Sequence, residues 1–219
     1  MDITSNIFQV GGSEESSQSD ASIYLIRSRG EAALIDAGTG AGHKQVINNI
    51  QKYGVPPEKI KYLFITHCHF DHTGGALAIK KATGCQIVAH SLDAVFLEEG
   101  NNTVTGASWY GSFLKNTTVD IKVEGKEAKF KVGDLDINFY HTPGHSPGSS
   151  VLTVVSDHKL VLFGQDVHGP INDMLLSNRK DYVKSLEFML SLEADILCEG
   201  HFGVYFGKDA VNDFIGSYL

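Results

Sequence analysis

Apolar and polar residues recur along this chain with two spacings, and each spacing predicts a different element. Short apolar or alternating runs bounded by glycine and polar residues predict strands, whereas apolar residues about three to four positions apart predict helices. The predicted strands cover residues 7–10, 22–26, 31–36, 60–66, 86–89, 128–132, 135–140, 150–155, 159–163 and 195–199. The predicted helices cover residues 46–53, 76–81, 91–98, 180–192 and 209–218, with Ser91 as the N-cap of the third.

Two segments have neither spacing. Residues 13–20 are polar and predict a mobile loop between the first two strands. Residues 100–116 are rich in glycine, asparagine, threonine and aromatic residues, which is typical of a long loop that covers a binding site. Trp109, Tyr110 and Phe113 lie in this second loop, where they either line a substrate site or anchor the loop itself.

Strands and helices that alternate in two comparable halves predict a layered α/β sandwich rather than one doubly wound sheet. With 219 residues, 42% of them hydrophobic, the chain is long enough for a full core. It has no internal repeat and no clear linker, so we expect residues 1–219 to form a single catalytic domain.

Composition narrows the classes of partner. A net charge of −8 argues against a broad nucleic-acid surface, because such surfaces depend on lysine and arginine. No run approaches the roughly 18 apolar residues of a membrane helix, and the first residues do not resemble a signal peptide. We therefore expect a small-molecule substrate and a cytoplasmic location, with neither nucleic acid nor membrane as partner. Cys68, Cys85 and Cys198 show no CxxC spacing and predict buried, reduced thiols.

One segment carries the strongest chemical signal, the pattern H-x-H-x-D-H formed by His67-Cys68-His69-Phe70-Asp71-His72. Neutral imidazole and carboxylate are preferred ligands of zinc and similar divalent ions. His67 and His69 lie two residues apart, so in extended backbone they point the same way. The turn into the next helix can then aim Asp71 and His72 at a neighbouring ion. Cys68, by the same alternation, points away and is expected to pack in the interior.

Further candidate ligands follow other predicted strands at tight turns. His145 lies in the loop Thr142-Pro143-Gly144-His145-Ser146-Pro147-Gly148, which two prolines stiffen and two glycines allow to bend. Asp166 follows strand 159–163, and His201 follows strand 195–199. Strand ends are rigid supports, so these side chains are expected to converge with the histidine motif in one metal site.

With these motifs the sequence resembles the metallo-β-lactamase fold superfamily over almost the whole chain. Leu34-Ile35-Asp36-Ala37-Gly38 is similar to the first family motif, the segment His67 to His72 to its signature, and His145, Asp166 and His201 to the last three motifs. Asp166 stands at the position of a bridging carboxylate, which makes the pattern more similar to the glyoxalase II, lactonase and persulfide dioxygenase branch. The resemblance implies a four-layer αββα sandwich.

The resemblance also implies a role for each motif residue. His67, His69 and His145 would bind one metal ion, Asp71, His72 and His201 a second, and Asp166 would bridge the two. Asp36 would orient a ligand histidine or, alternatively, only cap its turn. The ions are expected to be two divalent cations, zinc first, with iron or manganese as alternatives.

This assignment predicts a metal-dependent hydrolase. A hydroxide bridging the ions would attack an ester, thioester or lactone carbonyl, and Asp71 would help to move the proton. Two alternatives stay open from the sequence. One is a non-haem iron oxygenase resembling persulfide dioxygenase, with His67, His145 and Asp166 around a single iron. The other is a binding or regulatory protein that keeps the fold without catalysis.

Several further side chains have weaker functional signals. His168, close after Asp166, either contacts substrate or is an ordinary solvated loop residue. Arg179 and Lys180 open a predicted helix, where such a basic pair usually faces solvent; the alternative is that they bind an anionic substrate. The remaining histidines, His43, His90, His141 and His158, have no comparable partners in the sequence and are expected to be structural or surface residues.

Overall fold

Twelve strands form two six-stranded sheets in a computed structural model that describes residues 1–219. The first sheet contains, in spatial order, β1 (Ile7–Gly11), β2 (Ile23–Ser28), β3 (Glu31–Ile35), β4 (Ile60–Phe64), β5 (Gln86–His90) and β6 (Ile121–Val123). The second contains β7 (Glu127–Val132), β8 (Leu135–His141), β9 (Ser150–Ser156), β10 (Lys159–Gln165), β11 (Ile196–Glu199) and β12 (Val204–Phe206). Each sheet therefore comes from one half of the chain, as the sequence pattern predicts.

Strand direction changes within each sheet. In the first, β1 to β3 are antiparallel neighbours and β3 to β6 are parallel ones. In the second, β7 to β10 are antiparallel, β10 and β11 are parallel, and β12 returns antiparallel to β11. Parallel strands have their carboxyl ends at the same sheet edge, so the loops that follow β3, β4, β10 and β11 are brought to common edges.

Six helices complete the fold: α1 (His43–Lys52), α2 (Phe70–Thr73), α3 (Ala76–Thr83), α4 (Ser91–Glu99), α5 (Arg179–Ser191) and α6 (Lys208–Gly216). One apolar cluster joins α1, α3 and α4 to the first sheet, and another joins α5 and α6 to the second. A third cluster fills the space between the sheets. The predicted αββα sandwich is thus confirmed. None of the helices combines the length and apolarity needed to cross a membrane.

Burial on both faces explains the continuous apolar run of β3. Ala32 and Leu34 join the cluster under the helices, whereas Ala33 and Ile35 join the cluster between the sheets. Successive strand residues point to opposite faces, so a strand covered on both sides shows no alternation in its sequence.

The structure differs from the predicted elements at several boundaries. Strand β4 ends at Phe64, two residues early, because the chain bends at Thr66 and His67. The N-cap of α4 is His90 rather than Ser91, since the His90 backbone is extended and its Nδ1 accepts a hydrogen bond from Leu92 N. The strands β6 and β12 and the helix α2 were not predicted, because elements this short show no periodicity.

Candidate metal centre

Loops from both sheets place the candidate ligands together at one edge of the sandwich. The chain turns after β4 through His67 and His69 into α2, which carries Asp71 and His72. From the second sheet come His145, in the loop between β8 and β9, Asp166 after β10 and His201 after β11. All seven ligands predicted from the sequence are therefore brought to one place, although they span 135 positions of the chain.

The first group, here the first cluster, contains His67, His69, His145 and Asp166, whose nearest ligand atoms all lie within 4.8 Å of one another. His145 Nε2 lies 3.2 Å from His67 Nε2 and 3.3 Å from Asp166 Oδ2. His67 Nε2 lies 3.8 Å from the same oxygen. Ligands about 2.0–2.1 Å from one tetrahedral zinc ion lie about 3.4 Å apart, which matches this spacing.

The second cluster contains Asp71, His72 and His201, again with ligand atoms within 4.8 Å of one another. His201 Nε2 lies 3.2 Å from Asp71 Oδ2 and 3.4 Å from Asp166 Oδ1. His72 Nε2 lies 3.0 Å from Asp166 Oδ1. The two oxygens of Asp166 thus face different clusters, Oδ2 the first and Oδ1 the second, which suits a carboxylate shared between two ions.

Unpartnered buried atoms provide the test of whether cations fit here. His69 Nε2, His72 Nε2 and Asp166 Oδ1 are buried and form no hydrogen bond. The 3.0 Å approach of His72 Nε2 to Asp166 Oδ1 lacks the angles of a hydrogen bond, so proximity does not satisfy either atom. Buried polar atoms without partners are costly, and a cation between them removes that cost. The residues present therefore fit divalent metal ions.

The pKa values of four histidines of the centre are shifted in two opposite directions. Burial, reinforced by the neighbouring histidines, holds the pKa of His67 and His69 well below the ordinary value, so both are neutral ligands at neutral pH. Burial also acts on His72, but the carboxylates, Asp166 foremost, outweigh it and raise the pKa of His72 well above normal. Burial is likewise outweighed at His201, where the nearby carboxylates of Asp166 and Asp71 raise the pKa to about 10.

The carboxylates of the centre are ionised. Burial alone would raise the pKa of Asp166, yet the charge of His72 and the close imidazoles of His145 and His201 lower it well below the ordinary value. The pKa of Asp71 is lowered as well, because His72 and His201 outweigh the effect of burial. In the metal-free chain, protons on His72 and His201 balance these charges, and a metal ion would displace those protons on binding.

Asp36 fixes the orientation of His72. Its Oδ2 accepts a hydrogen bond from His72 Nδ1 at 2.7 Å, and Thr66 donates to both oxygens, from its backbone N at 2.9 Å and from Oγ1 at 2.7 Å. With Nδ1 bound in this way, Nε2 is the atom that faces the centre. The backbone carbonyl of Pro170 holds His145 similarly, accepting from Nδ1 at 3.0 Å.

Asp93 is a structural partner of the site that sequence reasoning missed. This buried carboxylate accepts hydrogen bonds from Cys68 N at 2.8 Å, Ser146 Oγ at 2.6 Å and Gly148 N at 2.6 Å. It therefore joins the two loops that carry His69 and His145. The only signal in the sequence is an aspartate in the first turn of α4, which also fits an ordinary helix start.

A cavity of about 150 Å³, here the metal chamber, opens onto the clusters and exposes His69, Asp71, Asp166 and His201. Its other walls are Thr105, Gly106, Trp109, Tyr110, His168, Pro170 and Leu175. The loop 100–116 thus contributes Trp109 and Tyr110, whereas Phe113 lies in a different cavity with Lys81 and Lys115. A larger cavity of about 380 Å³, beside Arg27 and Pro56, contains none of the candidate ligands.

His168 lies closer to the centre than its sequence position indicates. Its ring can join Asp166 and His201 with ligand atoms within 4.8 Å, and its Nδ1 lies 2.8 Å from Glu199 Oε1.

The side chains of several other residues considered in the sequence analysis point away from the metal ligands. Cys68 is fully buried in the core, His90 stacks on His141 with ring centroids 3.7 Å apart, and Arg179 donates to the carbonyl of Tyr218.

Comparison with known proteins identifies related chains. The family model described as the metallo-beta-lactamase superfamily matches residues 18–201. A probable metallo-hydrolase of Bacillus subtilis, YqgX, is 28% identical over 83% of this chain and 84% of its own length. The acyl-coenzyme A thioesterase MBLAC2 of Gallus gallus is 28% identical, and the match covers 98% of this chain and 84% of that protein.

Two further comparisons concern a partial match and a solved structure. A hydroxyacylglutathione hydrolase of Anaeromyxobacter dehalogenans is 30% identical over 59% of this chain, but this region spans only 40% of that enzyme. The structure of the metallo-beta-lactamase GOB-18 from Elizabethkingia meningoseptica superposes with a TM-score of 0.79 at 26% identity, covering 92% of this chain and 76% of that one.

Proposed function

This chain belongs to the metallo-beta-lactamase superfamily, and from that premise we propose that it is a hydrolase of esters, thioesters or lactones with a dinuclear metal centre. The observation that carries the proposal is the position of Asp166 between two clusters. Each carboxylate oxygen faces a different cluster, and buried imidazole nitrogens on both sides lack hydrogen-bond partners. Relatives that carry the names of thioester hydrolases support the same class of reaction.

The proposed ligands of one ion are His67, His69 and His145, and those of the other are Asp71, His72 and His201, with Asp166 shared. Imidazole and carboxylate ligands suit zinc first and also iron or manganese. When bound, the ions would supply Lewis acidity that activates a water molecule and polarises the substrate carbonyl. Because the ligands come from both sheets, we infer that the chain works as a single catalytic domain.

The chain's own side chains would bind and orient the substrate. Trp109 and Leu175 form an apolar wall of the metal chamber that excludes water from the acyl group. Asp36 holds the His72 ring in place, and Pro170 holds the His145 ring. The geometry of the ligand set is therefore fixed before substrate enters, which is the condition for efficient polar catalysis.

Asp71 is the proposed proton carrier. Its carboxylate borders the metal chamber, is ionised at neutral pH, and has the Tyr110 phenol beside it. Burial, followed by the Asp71 charge, raises the pKa of Tyr110, so the phenol stays protonated and can donate to that carboxylate. An Asp71 oxygen can take the proton of the attacking water and pass it to the leaving atom.

Metal content measured together with turnover tests this proposal. His69→Ala and Asp166→Ala are each expected to lower the number of bound ions and the hydrolysis of thioester, ester and lactone substrates. His158→Asn is the matched control, since His158 is exposed in the turn between β9 and β10. Unchanged metal content and unchanged turnover in His69→Ala and Asp166→Ala would contradict the ligand assignment.

A further inference from the structure

A second cavity, of about 260 Å³, adjoins the metal chamber. It shares Tyr110 and His201 with that chamber, so these two side chains stand between the two spaces. Apart from Gly200, the rest of its lining is polar and comes from the segment between β1 and β2: Ser13, Gln18, Ser19, Asp20 and Ser22. We call this cavity the polar chamber.

The polar chamber lacks the lysine and arginine side chains that would bind an anionic leaving group such as a phosphate-bearing or carboxylate-bearing thiol. The chain has 18 lysines and arginines, yet none of them lines the polar chamber or the metal chamber. Phosphates and carboxylates are recognised mainly by arginine and lysine. The one histidine of the polar chamber wall, His201, already faces the carboxylates of Asp71 and Asp166, and the only carboxylate of that wall, Asp20, would repel anions. The nearby lysines Lys81 and Lys115 line a separate cavity that shares no residue with either chamber.

Asp20 holds the wall of the polar chamber in place, while the polar side chains of Ser13 and Gln18 remain able to bind a ligand. Asp20 is buried and accepts hydrogen bonds from Ser16 Oγ at 2.7 Å and from Thr39 N at 2.8 Å. Sequence reasoning predicted mobility for this segment, whereas these bonds attach it to the turn after β3. The Ser13 hydroxyl and the Gln18 amide form no hydrogen bond within the chain, so both are available to a ligand.

We propose that the polar chamber binds the leaving group of the substrate, and that this group is uncharged and rich in hydrogen-bonding atoms, such as a polyol or an amide-bearing thiol. The proposal rests on the hydrolase function proposed above. The acyl group lies beside Trp109 and Leu175 in the metal chamber, the scissile bond lies near His201, and the leaving group contacts Ser13 and Gln18.

The reaction balances as a simple hydrolysis. The oxygen of water bonds to the acyl carbon, the bond from that carbon to the leaving sulfur or oxygen breaks, and its electron pair stays with the leaving atom. One proton of the water passes through Asp71 to that atom. No oxidant, reductant or further reactant is needed.

Thioesters that share one acyl group and differ only in the thiol test the proposal on the metal-loaded chain. The neutral thiols are thioglycerol and N-acetylcysteamine, the anionic ones are glutathione and coenzyme A, and thiocholine is cationic. We expect kcat/KM to be higher for the neutral thioesters by about tenfold or more, the effect of about one lost or repulsive contact.

Substitutions of Gln18 test whether the preference among the thioesters arises in the polar chamber. Gln18→Lys is expected to raise kcat/KM for the coenzyme A thioester relative to the thioglycerol one, because it places a cation in the polar chamber. Gln18→Ala is expected to raise KM for the thioglycerol thioester. Gln51→Ala, at an exposed position of α1, is the matched control and is expected to leave the ratio between the thioesters unchanged.

Equal or greater kcat/KM for the anionic or the cationic thioesters would overturn the proposal while leaving the hydrolase function intact. A loss of coenzyme A thioester turnover in Lys81→Ala or Lys115→Ala would also overturn it, because the carrier would then occupy the separate cavity. Hydrolysis of none of the five thioesters, with both ions bound, would instead refute thioester hydrolysis itself.

Discussion

Replacing Asp36 by asparagine keeps the shape of the side chain and removes its charge. In the native chain Asp36 Oδ2 accepts from both His72 Nδ1 and Thr66 Oγ1, at 2.7 Å each, and Oδ1 accepts from Thr66 N at 2.9 Å. Asparagine has one acceptor oxygen and one donor NH₂ group, so it can keep the bond from the Thr66 backbone. Its NH₂ group then faces two donors, and the bond that orients His72 is lost.

The size of the effect follows from that bond. A hydrogen bond to a charged group contributes about 1.5–3 kcal/mol. Groups that orient a metal-binding histidine change metal affinity by about 10–100-fold when mutated. At about 1.4 kcal/mol per tenfold, the two ranges agree. We therefore expect Asp36→Asn to raise the metal Kd of the cluster that contains His72 by about 10–100-fold, with a smaller change at the other cluster.

Chelator competition that resolves two binding steps measures this change. The matched control is Asp134→Asn, because Asp134 pairs with Arg29 at an exposed position away from the centre. Hydrolysis by Asp36→Asn is expected to recover when the metal concentration is raised, since the ligands themselves are intact. An unchanged Kd for both ions would show that Asp36 only shapes its turn and that the orientation argument is wrong.

Three more predictions concern the supports of the site and a histidine outside it. A methyl group in Gly200→Ala would collide with Asp166 Oδ1, so we expect fewer bound ions by elemental analysis and lower turnover. Asp93→Ala leaves the buried N–H groups of Cys68 and Gly148 without partners, whereas Ser146 Oγ keeps Ser149 Oγ; at about 1 kcal/mol or more each, urea unfolding should show a loss of about 2 kcal/mol or more. Burial, with His141 adding to it, lowers the pKa of His90 below that of the unfolded chain, so this group's stability contribution is full above about pH 6.5 and falls as pH drops toward the folded pKa. His90→Asn keeps a good N-cap and should flatten the decrease in unfolding free energy below about pH 6.5.

Each of these three predictions has its own control or contrary result. Gly216→Ala adds a methyl group to open space at the end of α6 and should leave metal content unchanged. Full metal content in Gly200→Ala would show that the loop carrying Asp166 can move to accept the methyl group without losing a metal ion. Native unfolding free energy in Asp93→Ala would show that other groups join the two ligand loops. An equal pH slope for native chain and His90→Asn would mean that His90 does not titrate differently on folding.

Most of the candidate centre can be predicted because the ligands follow local patterns. The H-x-H-x-D-H segment, the Pro-Gly loop around His145 and the strand ends before Asp166 and His201 are each visible in a few consecutive residues. Burial on both faces of the sheets also makes the strands recognisable as apolar runs. The αββα layers follow from the order of these elements.

Contacts between distant segments could not be predicted in the same way. The carboxylate of Asp93 meets Gly148 only because α4 and the loop after β8 pack together, and nothing near Asp93 in the sequence indicates it. Phe113 is only three residues from Tyr110, yet it lies in another cavity, because the chain turns at Gly111 with a positive φ of 59°. The polar chamber likewise exists only where residues 13–22 meet Tyr110 and His201.

The dinuclear centre is tested most directly by a crystal structure of the active chain with anomalous diffraction measured at the absorption edges of zinc, iron and manganese. We expect two anomalous peaks, one on each side of Asp166. One peak is expected among His67, His69 and His145, and the other among Asp71, His72 and His201. A single iron peak, accompanied by sulfur-dependent oxygen uptake, or peaks remote from Asp166 would contradict this expectation.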